Sequence, residues 1–139
     1  MTSVAIGNNV TIIDDNAFMY CSNLVLDYLP NSLTYIGNSP FWGCDVLDID
    51  TLFFNDSLKH IGDYAFRNFN SLKYVYMPFS LDSIDRNPFV GCDSLNTVLW
   101  NLPCDVFSVT NLFVGCNNIR NFIFGDSVRF VPNNFIFFI

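Results

Sequence analysis

One side chain recurs at a nearly constant interval. Phe18, Phe41, Phe66, Phe89, Phe113 and Phe135 follow one another at 23, 25, 23, 24 and 22 residues. The neighbouring apolar residues keep step with it. Ile13, Ile36, Ile61 and Ile84 stand five residues before the first four of these Phe, and Cys21, Cys44, Phe69 and Cys92 stand three residues after them. Leu24, Leu47, Leu72 and Leu95 come three further on, and Val10, Leu33, Leu58 and Leu81 precede each Ile by three. Phe113, Cys116 and Ile119 continue the series. A unit this short cannot bury its own apolar side, so successive units must stack and share one core.

The interval varies where apolar positions stay in phase, which is how a stack of coils tolerates insertions. Counting places two extra residues between Leu52 and Leu58 and two more between Trp100 and Val106, where other copies show the four-residue steps Leu29–Leu33, Met77–Leu81 and Phe124–Val128. A period of roughly 20–29 residues falls in the leucine-rich class. Composition agrees with strands and turns. All thirteen acidic residues are Asp, no Glu or Gln occurs, and Ala appears only at 5, 17 and 65. The straight-chain helix formers are missing, and Asp and Asn favour turns through side-chain bonds to nearby backbone. Leu72, Val75 and Met77, then Leu95, Val98 and Trp100, then Ile119, Phe122 and Phe124 read as inward strand positions. Gly37 and Gly62 read as corners with positive φ, and Ala17, Pro40, Ala65 and Pro88 before the Phe suit a helical or 3₁₀ turn.

The pattern V-x-x-I-G-x-x-A/P-F-x-x-C-x-x-L-x-x-V is carried by Leu58-Lys59-His60-Ile61-Gly62-Asp63-Tyr64-Ala65-Phe66 and by Phe89-Val90-Gly91-Cys92-Asp93-Ser94-Leu95-Asn96-Thr97-Val98. It resembles the BspA-type (treponemal) leucine-rich repeat over residues 4 to about 138. The resemblance implies a right-handed, mainly β solenoid with a parallel sheet on one face and short 3₁₀ or helical turns and loops opposite. It also implies a surface or adhesion protein. The chain reads as a single solenoid over 1–139 of about five and a half turns, with repeats at roughly 7–29, 30–52, 53–77, 78–100, 101–124 and a partial 125–139.

Few residues suggest chemistry. Four of the five Cys fall on one repeat position where the third copy has Phe69, so that position is an apolar core site. Cys21–Cys44 and Cys92–Cys116 are neighbours in the stack and within disulfide reach in a secreted chain. Cys104 lies in an insertion and reads as an exposed thiol. The single His, His60, reads as a solvated loop side chain. No phosphate loop, nucleophile elbow or paired Glu is present, so neither an enzyme nor a cofactor is expected. Asp27 and Asp50 align with Val75, Val98 and Phe122 at an inward position. Either a bulge turns Leu26 and Ile49 inward and both Asp outward, or the carboxylates share a cation with Asp45 or Asp48 in a calcium-like site.

Partners are bounded by charge and surface. The net charge of −7 and the pI near 4.1 argue against nucleic acid and anionic lipid. Residues 1–58 hold seven Asp and no Lys or Arg, so all the excess charge sits there. No run of about 18 apolar residues exists to span a membrane, and no signal peptide is visible, which reads as cytoplasmic, or as cell-surface or particle-associated if the chain is part of a longer protein. The expected outward rows are Leu26, Ile49, Tyr74, Thr97, Asn121 and Tyr28, Thr51, Tyr76, Leu99, Ile123. Rows of Tyr and aliphatic side chains on a sheet suit a protein partner, with Tyr28, Thr51, Tyr74, Tyr76, Leu99 and Ile123 as candidate contacts. The sequence therefore reads as a non-catalytic binding module, or, as the resemblance implies, an adhesion module. The alternative is a structural or assembly subunit, or a fragment of a longer repeat array, that packs through uncapped ends, with Phe137 and Phe138 at one of them.

Overall fold

The computed structural model describes residues 4–26, 28–44, 47–102 and 111–131. Two parallel ladders run along the stack. The first joins four two-residue strands, β1 (Ile12–Ile13), β2 (Tyr35–Ile36), β4 (His60–Ile61) and β6 (Ser83–Ile84). The second joins β3 (Thr51–Phe53), β5 (Tyr74–Met77), β7 (Thr97–Trp100) and β8 (Asn121–Phe124). Every pairing is parallel and links equivalent positions, such as Ile36 to Ile61 to Ile84 and Val75 to Val98 to Phe122. The fold is a β-solenoid, with a second short ladder where only turns and loops were expected. Each ladder has four strands, so about four regular turns stand in the described residues instead of five and a half. Before β3 the described residues contribute no strand to the second ladder, and Val4 N–H donates to the Val25 carbonyl at 3.2 Å.

The recurrent Phe builds the core. Phe18, Phe41, Phe66, Phe89 and Phe113 stack ring on ring at 5.5, 6.3, 5.4 and 5.4 Å, with interplanar angles from 2° to 27°. Offset stacking at this distance suits the ring quadrupole and matches the coil repeat. Leu24, Leu47, Leu72 and Leu95, together with Ile13, Ile36, Ile61 and Ile84 of the short ladder, are buried beside this file. Among the described residues no polar or charged residue is fully buried.

No helix forms at the Phe corner among the described residues. The reason is a pair of left-handed residues flanking each Phe, two before and two after. They are Asn16 and Tyr20, Ser39 and Gly43, Tyr64 and Asn68, Asn87 and Gly91, and Asn111 and Gly115, with φ between 50° and 79°. Each reverses the helical sense after a single turn closed by bonds such as Cys21 N–H to the Phe18 carbonyl at 3.1 Å. The reversals turn alternate amides along the stack. Phe18 N–H donates to the Pro40 carbonyl at 2.8 Å and Tyr20 N–H to the Trp42 carbonyl at 2.7 Å, and Phe66 and Asn68 repeat this with Pro88 and Val90.

Gly37 and Gly62 are not positive-φ corners, because the glycines with positive φ are Gly43, Gly91 and Gly115. Their reason is room. A Cβ on Gly62 would sit 2.5 Å from the Gly37 carbonyl carbon, where Gly62 N–H donates to the Ile36 carbonyl at 2.8 Å. Gly62→Ala should therefore lower stability by about 1–3 kcal/mol, the usual cost of forcing atoms into a packed site. Gly7→Ala meets nothing within 4 Å and should leave stability nearly unchanged. Urea denaturation of both variants checks the contrast.

Candidate functional site

The second ladder carries one register finding that decides its surface. Thr51 pairs with Tyr74, Leu52 with Val75 and Phe53 with Tyr76. Leu52, not Asp50, thus takes the inward place of Val75, and Phe54 is buried beside it. The two extra residues of this copy therefore precede the strand, between Leu47 and Leu52, and do not lie between Leu52 and Leu58. Leu26 and Ile49 are buried rather than outward, as the bulge reading required of them. Asp50 is exposed, 3.9 Å from the Lys73 ammonium, and accepts from Thr51 Oγ1 at 2.9 Å. Asp27 and Asp45 lie outside the described residues, as do the second insertion, Cys104, Phe137 and Phe138.

The outward rows are accordingly Thr51, Tyr74, Thr97, Asn121 and Phe53, Tyr76, Leu99, Ile123. Phe53 enters a row from which sequence counting had left it out, because that count aligned Thr51 with Tyr76. Its ring stacks on Tyr76 at 4.7 Å and 11°. Phe53 is 67 % exposed, Tyr74 48 %, Ile123 47 % and Leu99 40 %. Tyr28 is exposed as well but belongs to no strand. Five neighbouring positions on four strands, Phe53, Tyr74, Tyr76, Leu99 and Ile123, thus present aromatic and aliphatic surface to solvent. An apolar row of this kind exceeds the single exposed residues that any folded surface shows.

The cysteines form a column with one job. Cys44, Cys92 and Cys116 each donate through Sγ to the carbonyl of the Phe one coil earlier: Phe18, Phe66 and Phe89, at 3.1, 3.1 and 3.0 Å. The neighbouring Cys116 thiol and burial together push the Cys92 thiol above the ordinary thiol value. These are structural thiols, not disulfide partners. At Cys92 this setting disfavours the thiolate that nucleophilic chemistry needs.

His60 is not a solvated loop residue. It lies in β4, half-buried, with its ring stacked on Tyr35 at 4.7 Å. Nδ1 meets Ser83 Oγ at 2.7 Å, and Nε2 is 3.8 Å from Asp85. A Ser, a His and an Asp thus come together, but the carboxylate lies beyond hydrogen-bond distance of the ring and fixes no tautomer, which proton relay requires. Among the described residues no group of three His, Cys, Asp or Glu could hold a metal ion. No helix among them is long and apolar enough to cross a membrane.

A second column runs past this corner. The Asp15 carboxylate accepts from Asn38 N–H at 2.6 Å, and Asn38 Oδ1 accepts from Asp63 N–H at 2.7 Å. These bonds hold the Asp15 carboxyl below its ordinary value, with the Asn38 backbone N–H the larger cause. Desolvation raises the Asp63 carboxyl, whose Oδ1 is buried without a partner in an open groove of about 610 Å³.

With this geometry in place, the chain can be set beside known proteins. The BspA type Leucine rich repeat region matches residues 1–120 in six copies. The chain belongs to this family. A leucine rich cell surface protein from Faecalibacterium prausnitzii A2-165 is similar over 90 % of the chain, at 25 % identity and a TM-score of 0.71. A leucine-rich repeat protein from Bacteroides ovatus ATCC 8483 is similar over 91 %, at 26 % identity and a TM-score of 0.67. The T. pallidum leucine rich repeat protein shares the fold over 88 %, at 22 % identity and a TM-score of 0.63. The chain spans 32 %, 38 % and 69 % of those three chains. None of the curated proteins is a significant match to it.

The pH dependence of the Asp63 column follows from its shifts. A raised folded-state value means that ionised Asp63 is disfavoured in the fold. The stability it contributes is full below the ordinary value of 3.8 and lost as pH rises through the higher folded value. Asp63→Asn stays neutral throughout. Its Tm should exceed that of the parent at about pH 7, and the gap should close below pH 3.8. Asp15 acts in the opposite sense, contributing stability above 3.8 that is lost as pH falls through its lowered folded value. Thermal melts from acid to neutral pH read both.

Proposed function

We propose that this leucine-rich-repeat chain is a non-catalytic protein-binding module of an adhesive surface protein, and that it engages its partner through the second ladder. The observation that supports this most is the Phe53–Tyr76 stack, set in an exposed row with Leu99 and Ile123. A rigid sheet presents those side chains with little left to order on binding, which lowers the cost of association. Aromatic residues with aliphatic neighbours are the composition that the buried centre of an interface favours. The similar protein from Faecalibacterium is a cell surface protein, which supports a surface setting for this chain.

Site-specific photo-crosslinking tests the face. p-Benzoylphenylalanine at Phe53 should yield a discrete protein adduct when the chain is displayed to its natural surroundings. The same group at Phe79, which is exposed but lies off the ladder, should yield none. Tyr76→Ala should cut the Phe53 adduct roughly tenfold, the scale of one interface hot spot, with Tm lowered only slightly. Equal adducts from both positions would refute the assignment of this face.

A further inference from the structure

A second cluster stands on the Phe corner, away from the ladder. Trp42 directly follows Phe41 and Arg67 directly follows Phe66, so the two share one column in adjacent coils. The Arg67 guanidinium carbon lies 4.1 Å from the centroid of the Trp42 ring and 5.8 Å from that of Tyr64. The two rings meet edge to face at 5.9 Å and 88°. All three residues are half-buried. In the other copies this column holds Met19, Val90 and Val114, so the arrangement is particular to these coils and not a requirement of the fold.

Stacking covers one face of the guanidinium and leaves its in-plane N–H donors available. The ion pairs among the described residues join Lys59 to Asp82, His60 to Asp85 and Lys73 to Asp50, and Arg67 is in none of them. Beside it opens a cavity of about 240 Å³ whose described polar lining, Asn68 and Asn70, carries amide donors and no carboxylate. That volume falls below the roughly 300–1,000 Å³ typical of small-molecule sites. It is the scale of one inserted side chain. A guanidinium held flat on an aromatic ring is pre-organised for the two-pronged recognition of a carboxylate, and Trp, Tyr and Arg are the residues that dominate interface energetics. The net charge of −7 opposes a polyanion but not a single carboxylate, since charges beyond about 8 Å are screened at physiological salt.

We propose that Trp42, Tyr64 and Arg67 form a second protein-interaction site, which seats an Asp or Glu side chain of a partner with its carboxylate bridged by the Arg67 guanidinium edge. This site stands independently of the ladder face.

The test titrates the full chain with N-acetyl-glutamate N-methylamide and follows the indole N–H resonances of Trp42 and Trp100 by NMR. N-acetyl-glutamine N-methylamide serves as the neutral control and glucuronate as an acidic sugar. The Trp42 resonance should move and saturate at millimolar Glu probe, while that of Trp100, buried in the core, stays in place and reports an intact fold. The glutamine probe should produce no saturable shift. Arg67→Lys should weaken the response about tenfold or more, the effect of losing one charge-assisted hydrogen bond, and Arg67→Gln should abolish it. Equal binding of the glutamine probe, an unchanged response in Arg67→Lys, or no saturation overturns the site. Tighter binding of glucuronate overturns the assignment to a protein side chain.

Discussion

Everything in this molecule is subordinate to the spacing between adjacent coils. Parallel strands fix that spacing at about 4.8 Å, and each side chain must then coexist with its own equivalents one coil above and below. Phenylalanine meets the demand by stacking with an offset, which lengthens the ring separation to between 5.4 and 6.3 Å without opening a gap. Cysteine meets it with a thiol that reaches the carbonyl of the preceding Phe. Where the backbones themselves come closest, as at Gly37 and Gly62, no side chain fits at all. The columns are separate solutions to a single distance.

That constraint explains what was legible from sequence. The Phe file, the Cys column and the inward Leu, Val and Met positions repeat residue for residue, so counting alone places them. The register of β3 was less accessible. Leu47, Ile49, Leu52 and Phe54 are all apolar and all buried, so four candidates compete for three inward places. Sequence spacing cannot say which is surplus. An alignment slipped by two residues places Asp50 inward and Ile49 outward, the reverse of what the structure shows, and leaves Phe53 out of the outward row. The short ladder was invisible for another reason: two residues are too few to show an alternation. Left-handed φ at Asn16, Asn87 and Asn111 suits their type, while Tyr20 and Tyr64 carry no such signal. There the neighbouring coils impose the conformation.

The same stacking that orders the core also orders the surface. Outward residues form columns in which each member comes from a different coil, so a surface site is assembled from positions about two dozen residues apart. Phe53 on Tyr76 and Arg67 on Trp42 are both contacts of this kind. Neither is visible as a local motif, since nothing within one repeat distinguishes Arg67 from Val90 at the same place. Their pairing appears only once the columns are drawn. Ser83, His60 and Asp85 show the converse. A column brought them together, yet the 3.8 Å separation of His60 and Asp85 leaves the group short of a catalytic relay.

Stability and recognition are thereby carried by different columns. The Phe, Leu and Ile files are buried, and a change in one member disturbs two neighbouring coils at once. The outward columns tolerate Met, Trp, Arg and Val at the place after Phe, and Thr, Tyr and Asn along one row of the sheet, because these side chains meet equivalents above and below but extend into water instead of into the packed core. Variation there leaves the coil spacing untouched. A repeat protein built this way can alter what it binds without altering how it folds, and a functional residue is one that departs from its column's usual occupant while the buried columns stay in phase. By that criterion the aromatic pair on the ladder and the arginine at the Phe corner stand apart from the framework that holds them.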